Sequence, residues 1–276
     1  MPALITPFTR EGEVDVAAHE RNLAVLIEAG MEGFVLGGST GQGPYLEPGE
    51  RERLVRAGQR HRAHLMCGIA AETTRMALAQ TAEAVEAGAD SVLVLTPTTL
   101  ARGRDEALRR FYTDIADRAT VPVFLYSVPV VTRYSLPVPL VEELSRHENI
   151  HGMKDSSGDV VRLQDIVEAT SESFLLYSGA SRALSAAIAV GCYGAITGSG
   201  NYLPRLVLDT LAAAPNPAEA RPLQRRLTRI SGEVESHGIP GVHAAARAAG
   251  LDPGHPRLPL TRLSQGAETS IAKLIS

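Results

Sequence analysis

Three helical patterns in this chain end in a glycine, and each is followed within a few residues by a short apolar run. Glu28-Ala29-Gly30 leads into Gly33-Phe34-Val35-Leu36, Glu86-Ala87-Gly88 into Ser91-Val92-Leu93-Val94-Leu95, and Ala189-Val190-Gly191 into Gly194-Ala195-Ile196-Thr197. A glycine in that place stops a helix in the left-handed conformation, and a strand then starts. The full set of strand candidates is Ala3–Thr6, Gly33–Gly37, Leu65–Ile69, Ser91–Leu95, Val123–Tyr126, Ile150–Lys154, Phe174–Ser178 and Gly194–Thr197. Runs this short and this continuously apolar fit parallel strands covered on both faces. Amphipathic stretches lie between them: Val16–Ala29, Pro48–His61, Thr74–Ala87, Asp105–Arg118, Pro137–Arg146, Val160–Thr170 and Ser181–Val190. Eight such units with no long linker predict an α/β fold, a closed (β/α)8 TIM barrel. A doubly wound open sheet is the alternative. It would normally place a GxGxxG turn after the first strand, and Phe8-Thr9-Arg10-Glu11-Gly12-Glu13 is not one.

Beyond Leu203 only helical patterns remain, at Leu203–Leu211, Ala218–Ser236, Val242–Ala249 and Gln265–Ile275. The sequence therefore divides into a barrel at 1–202 and a C-terminal helical region at 203–276 packed against it. A net charge of −4 and 4% aromatic residues give no footprint for nucleic acid. No apolar run approaches the roughly eighteen residues that would span a bilayer, and the N-terminal stretch lacks a basic region before its apolar residues. Cys67 and Cys192 sit in apolar contexts and read as reduced, buried thiols, so a cytoplasmic location is expected. Eight histidines lie mostly on helices or loops, and no carboxylate at a strand end joins His61 and His64. No metal and no cofactor is expected.

In a barrel of this kind the chemistry sits at the C-terminal ends of the strands. Lys154 ends the run Ile150-His151-Gly152-Met153-Lys154 and opens into Asp155-Ser156-Ser157-Gly158. It is one of two lysines beside twenty-five arginines, the other being Lys273. A lysine at a strand end is in itself ordinary, but an amine in a dry pocket can attack a carbonyl and form a Schiff base, which arginine cannot do. Tyr126 ends another strand and can relay protons, although a core tyrosine with a satisfied hydroxyl is the commoner case. Gly37-Gly38-Ser39-Thr40-Gly41 offers backbone N–H groups and two hydroxyls to a carboxylate. Ser178-Gly179-Ala180-Ser181 and the strand holding Ile196 open on the same face. Amine, phenol, hydroxyls and an anion-binding turn on one face match imine chemistry on a 2-oxo acid.

Taken together these residues resemble the dihydrodipicolinate synthase/N-acetylneuraminate lyase family of class I aldolases. The resemblance covers nearly the whole chain and is most specific in Gly37-Gly38-Ser39-Thr40-Gly41, Tyr126-Ser127-Val128-Pro129 and Gly152-Met153-Lys154-Asp155-Ser156-Ser157-Gly158. It implies Lys154 as the Schiff-base nucleophile, Tyr126 as the proton relay and Ser39 as its partner. The candidate substrate-binding residues are Gly38, Ser39, Thr40, Thr132, Arg133, Ser156, Gly179 and Ile196. The wording around Tyr126, Lys154 and Gly238-Ile239-Pro240-Gly241 is most similar to the 4-hydroxy-2-oxoglutarate aldolases. Two departures separate the chain from dihydrodipicolinate synthase itself. Val131 stands where that enzyme has an arginine for its second substrate, with Arg133 two residues on. Thr98-Thr99 stand where the family usually has paired tyrosines, one of which serves a relay across a subunit interface. Gln42 replaces a frequent glutamate. The expected activity is cleavage of a 4-hydroxy-2-oxo acid to pyruvate, or another 2-oxo acid, plus an aldehyde. Condensation of pyruvate with a semialdehyde, sugar-acid dehydration, and a non-catalytic protein that binds a 2-oxo acid are the alternatives. The expected partners are a small 2-oxo acid and further copies of the chain in a homo-oligomer, a dimer or a tetramer, with neither nucleic acid nor membrane.

Overall fold

The glycines that punctuate the sequence do what their positions predict. Gly30, Gly88 and Gly191 have φ of 97°, 99° and 102°, the left-handed region in which a side chain is strained. Between such stops, a computed structural model describes residues 1–275 as strands alternating with helices. The strands are β1 (Gly33–Leu36), β2 (His64–Ile69), β3 (Ser91–Leu95), β4 (Val123–Ser127), β5 (Ile150–Asp155), β6 (Leu175–Ser178) and β7 (Gly194–Ala195). The helices among them are α1 (Val16–Glu28), α2 (Glu50–Gly58), α3 (Thr74–Glu86), α4 (Asp105–Ala116), α5 (Pro129–Thr132), α6 (Val138–Leu144), α7 (Val160–Ala169) and α8 (Leu184–Ala189). Side-chain caps start several of them: Asp15 accepts from the Ala18 amide, Thr73 from Met76 and Asp159 from Arg162. All seven strands pair in parallel in chain order, which makes a curled, TIM-barrel-like sheet.

The expected eight strands resolve into seven and a bridging segment. Residues 3–6 form no regular strand: the Ala3 and Leu4 amides donate to the Thr197 and Val35 carbonyls, each at 2.9 Å, but the Ile5 amide turns to Asn201 Oδ1 at 3.0 Å and the ladder goes no further. Isolated bridges instead join Pro2 to Thr197 and Ala3 to Val35, so this segment links the two edges of the sheet. The strand expected at Gly194–Thr197 stops at Ala195. The chain then turns into a 3-10 helix at Gly198–Asn201, where the Thr197 and Ser199 hydroxyls bond each other at 3.0 Å. α5 had no counterpart in the sequence reading.

Side chains alternate between two cores. Phe124 and Tyr126 of β4 lie inside with Ala3, Val35, Met66, Leu93 and Ile196. Val123 and Leu125 point outward into the layer between strands and helices. That outer layer is continuous with α9 (Pro204–Ala213), α10 (Pro217–Ser236), α11 (Gly238–Ala248) and α12 (Gln265–Ile275), which contribute Leu206, Val207, Leu227, Ile230 and Ala245 to it. No described helix is long and apolar enough to cross a membrane. The parallel register sets Tyr126 beside Lys154, and Lys154 beside Tyr177, at the ends of β4, β5 and β6.

Candidate active site

Lys154 reaches the barrel interior because the strand beneath it has no side chain. A Cβ on Gly152 would stand 2.2 Å from the Leu175 carbonyl oxygen and 2.7 Å from the Phe124 ring, so only glycine lets β4, β5 and β6 close here. Two residues on, Lys154 points to the same face and is 4% exposed. Its Nζ donates to Tyr126 Oη at 3.3 Å and lies 4.3 Å from the centroid of the same ring. Tyr126 Oη in turn donates to Ser39 Oγ at 3.4 Å. Burial alone would push the phenol up. The Lys154 ammonium and the hydroxyls of Ser39 and Ser156 outweigh it, and the Tyr126 pKa falls below its ordinary value. Amine, phenol and serine thus form one chain of contacts across the mouth of the barrel.

The exit of β5 is held by a pair that the sequence reading did not single out. Asp155 is fully buried and receives Arg162 Nε at 2.9 Å and the Ser157 amide at 2.8 Å. Arg162 also donates to the Leu136 carbonyl at 2.6 Å. A buried ion pair of this sort is costly to break from one side, about 3–5 kcal/mol, and it fixes the direction in which β5 delivers Lys154. Asp155 adjoins the nucleophile in sequence, whereas nothing in the amphipathic pattern of α7 marks Arg162.

Gly179 follows β6 and lies against Lys154. A Cβ there would stand 1.9 Å from Ser156 Oγ and 3.0 Å from Lys154 Cε. The Gly179 amide donates to the Asp155 carbonyl at 2.7 Å. Ser156, Gly179 and Lys154 are therefore one packed group. Ile196 is fully buried in the inner core with Tyr126 and contributes an apolar wall.

The turn after β1 brings in the remaining expected residues. The Gly43 amide donates to the Gly38 carbonyl at 2.9 Å, and the Gln42 amide to the Ser39 carbonyl at 3.1 Å. Gly43 admits the tight return, since a Cβ would stand 1.9 Å from the Gly37 oxygen. Ser39 and Thr40 are left half-buried at the mouth, and Thr40 faces Gly198 across it.

Three expectations are placed elsewhere. Thr132 is buried and spends its hydroxyl on the Val128 and Tyr134 carbonyls, at 3.2 and 2.7 Å, as the end of α5. Those bonds hold the loop that follows β4. Arg133 is exposed at φ 53°, a left-handed residue closing α5, and Val131 beside it is 62% exposed. Thr98 and Thr99 are drawn to Glu72, which accepts both their amides and the Thr98 hydroxyl, so no described bond joins Thr99 to Ser39 or Tyr126. Cys67 and Cys192 are buried free thiols. Among the described residues, no group of three or more His, Cys, Asp or Glu is placed to hold a metal ion.

Beyond Ser156 and Gly179 lies a cleft of about 400 Å³ lined by Ser157, Gly158, Ala180, Ser181, Arg182 and Glu235. Glu235, from the end of α10, accepts from Ser181 Oγ at 2.6 Å and Tyr202 Oη at 3.5 Å, and burial holds its carboxyl above the usual range. The sequence reading missed Glu235 because it lies in the C-terminal region, some eighty residues from Lys154 along the chain.

The chain matches the model of the dihydrodipicolinate synthetase family over residues 1–276. It is 32% identical to the 4-hydroxy-tetrahydrodipicolinate synthase of Methanosarcina mazei, covering 99% of this chain and 95% of that protein. It is also 32% identical to the synthase of the same name from Pseudomonas aeruginosa, over 96% and 92% of the two chains. Among solved structures it superposes on a dihydrodipicolinate synthase of Bacillus anthracis with a TM-score of 0.93, at 29% identity over 99% and 96% of the chains. It superposes equally, with a TM-score of 0.93, on a prophage protein of the dihydrodipicolinic acid synthase family from E. coli K12, solved in complex with pyruvate. That match is at 26% identity over 99% and 96% of the chains.

Proposed function

The chain belongs to the dihydrodipicolinate synthetase family and is a lyase of its lysine Schiff-base class, and within that class we propose that it cleaves a 4-hydroxy-2-oxo acid to pyruvate and an aldehyde. The observation that carries the chemistry is the buried chain Lys154 Nζ–Tyr126 Oη–Ser39 Oγ, with links of 3.3 and 3.4 Å. The Lys154 amine adds to the C2 ketone. Tyr126 supplies the proton with which the former carbonyl oxygen leaves as water, and an iminium forms. Tyr126 then accepts the proton of the 4-hydroxyl as the C3–C4 bond breaks. The bond's electron pair moves into the iminium, giving the pyruvate enamine and a free aldehyde. Protonation at C3 and hydrolysis release pyruvate and restore the amine. Ser39 and Thr40 hold the C1 carboxylate, and the rest of the substrate extends into the cleft beside Ser181 and Glu235.

A second reading is the reverse bond-forming step, condensation of pyruvate with a semialdehyde, which the names of the relatives favour. Against it, Val131 offers no cation where the synthases have an arginine. The test measures both reactions on one preparation, following pyruvate release from 4-hydroxy-2-oxo acids with a coupled assay and condensation with aspartate semialdehyde in parallel. A higher kcat/KM for cleavage supports the first reading. Efficient condensation without cleavage establishes the second.

A further inference from the structure

The turn that presents Ser39 and Thr40 is gripped by a residue more than two hundred positions away. Arg257 crosses the loops at the strand C-termini and bonds three separate segments. Its guanidinium forms an ion pair with both carboxylate oxygens of Glu50, each at 2.6 Å. It donates to the Tyr45 carbonyl at 2.7 Å and, through Nε, to the Gly12 carbonyl at 2.9 Å. It also lies 4.2 Å above the Phe8 ring. Its backbone makes a reciprocal pair with the Gln42 side chain: Gln42 Nε2 donates to the Arg257 carbonyl and the Arg257 amide donates to Gln42 Oε1, both at 3.1 Å. Gln42 is 2% exposed and sits at φ 54°, which a residue with a long side chain rarely adopts. Something must hold it there, and the two bonds to Arg257 do. Because the Gln42 amide closes the turn onto the Ser39 carbonyl, the position of Gln42 sets the position of Ser39. On the far side, the buried Arg51 donates to the Gly43 carbonyl at 2.7 Å and to the Gly68 carbonyl at 3.3 Å, so the turn is pinned from both flanks.

We propose that Arg257, acting through Gln42 and Tyr45, is a positioning residue that fixes the turn for the carboxylate of the 2-oxo acid. The inference rests on the imine reading above, with Ser39 and Thr40 as the carboxylate site. A carboxylate held by this turn is bound in ground state and transition state alike, so loosening the clamp raises KM by more than it lowers kcat, the smaller change in kcat coming through the Ser39 contact with Tyr126. A purely structural role lowers thermal stability and leaves KM unchanged below the melting range.

The experiment uses the full chain as Arg257→Ala, Arg257→Lys and Gln42→Asn. Asparagine tolerates the left-handed backbone but is one methylene too short for both bonds to Arg257, so this variant loosens the clamp without unfolding the C-terminal region. Each protein is titrated with pyruvate, trapped with borohydride and scored for adduct on Lys154, beside steady-state kinetics and a thermal melt. The half-saturating pyruvate concentration is expected to rise on the order of tenfold in Arg257→Ala and Gln42→Asn, since displacements near 1 Å carry effects up to about 10²-fold. Arg257→Lys, which keeps the charge opposite Glu50 and loses the fork, is expected between these and the wild type. Unchanged half-saturation in a folded Gln42→Asn protein overturns the inference, as does a fall in kcat at constant KM. Failure of the wild type itself to trap pyruvate overturns the imine reading, and this inference with it.

Discussion

The wall carrying Lys154 and the turn carrying Ser39 meet at Tyr126, but they are built in different ways. The wall is regular. Tyr126, Lys154 and Tyr177 share one register across β4, β5 and β6, and their side chains point inward because strand side chains alternate. The turn is irregular. It depends on Gly43 packed against the Gly37 carbonyl, on Gln42 in a left-handed conformation, and on Arg51 and Arg257 pinning it from outside. On the imine reading proposed above, the wall places reactive groups with little freedom, whereas the turn sets a binding surface through contacts made far along the chain. Damage to the wall is then expected in kcat and damage to the turn mainly in KM.

The largest effect expected from breaking that division lies at the nucleophile. Lys154→Ala should abolish turnover while the circular dichroism spectrum and melt stay near wild type, since a small side chain at the barrel mouth causes no overpacking. Measurable aldol cleavage by the purified variant would remove Lys154 from its role. Next comes the phenol. Tyr126→Phe keeps the ring in the inner core and removes the hydroxyl that both Lys154 and Ser39 contact. kcat should fall about 10²–10⁴-fold, as is usual for a general acid–base group, with little change in KM. Gly179→Ala sharpens the picture of the wall as a packed unit. The new methyl would displace Ser156 and Lys154, and a loss of about 10² in kcat/KM is expected from misplacement alone.

Two buried imidazoles outside both regions give a stability prediction. Burial holds His19 and His243 down to about 4 in the folded protein, against an ordinary value of 6.5. Arg247 and His255 add to the effect at His243, whose two ring nitrogens have no hydrogen-bond partner among the described residues. The unfolded chain takes up protons below pH 6.5 that the folded one refuses, so stability is complete above 6.5 and declines as the pH falls toward 4. Near pH 4 the loss is on the order of 3 kcal/mol for each imidazole. Urea titrations at a series of pH values should show this decline, and His243→Leu should flatten it by about half. The smallest effect is expected at the rim. Arg133→Asn, compatible with the left-handed backbone, should leave KM near wild type for dicarboxylic and neutral-tailed substrates alike, since Arg133 is exposed and the rest of the substrate is assigned to the cleft beside Ser181 and Glu235. A KM raised only for the dicarboxylic substrate would mean that Arg133 reads the remote carboxylate after all.

The same contrast explains how much could be read from the sequence. β3, β4 and β5 are apolar runs bounded by clear stops, and their observed ends lie within a residue of those read from periodicity. Lys154 and Tyr126 were legible because they close such runs. The outer pieces were not. Residues 3–6 look like a strand by composition, but the Ile5 amide goes to the Asn201 side chain, and beyond the two residues of β7 the chain keeps only an isolated bridge from Thr197 to Pro2 before Gly198–Asn201. Thr132 is a substrate-binding candidate in the sequence, and the hydroxyl bonds that hold it at the end of α5 could not be read from periodicity. Thr99 stood next to the expected relay, but Glu72 lies closer in the fold and takes it. Arg162, Glu235 and Arg257 carry no local signal at all. Their partners lie 7, 54 and 207 positions away, and only the assembled barrel brings them together.

The central claim is that one amine of this protein forms an imine with a 2-oxo acid. The protein has two lysines, which makes the measurement simple to read. Incubation with pyruvate and borohydride, digestion and mass spectrometry should find the reduced pyruvyl group on the peptide containing Lys154, with Lys273 unmodified and activity lost in proportion. Adduct on Lys273 alone, or full activity after complete modification of Lys154, would contradict the account.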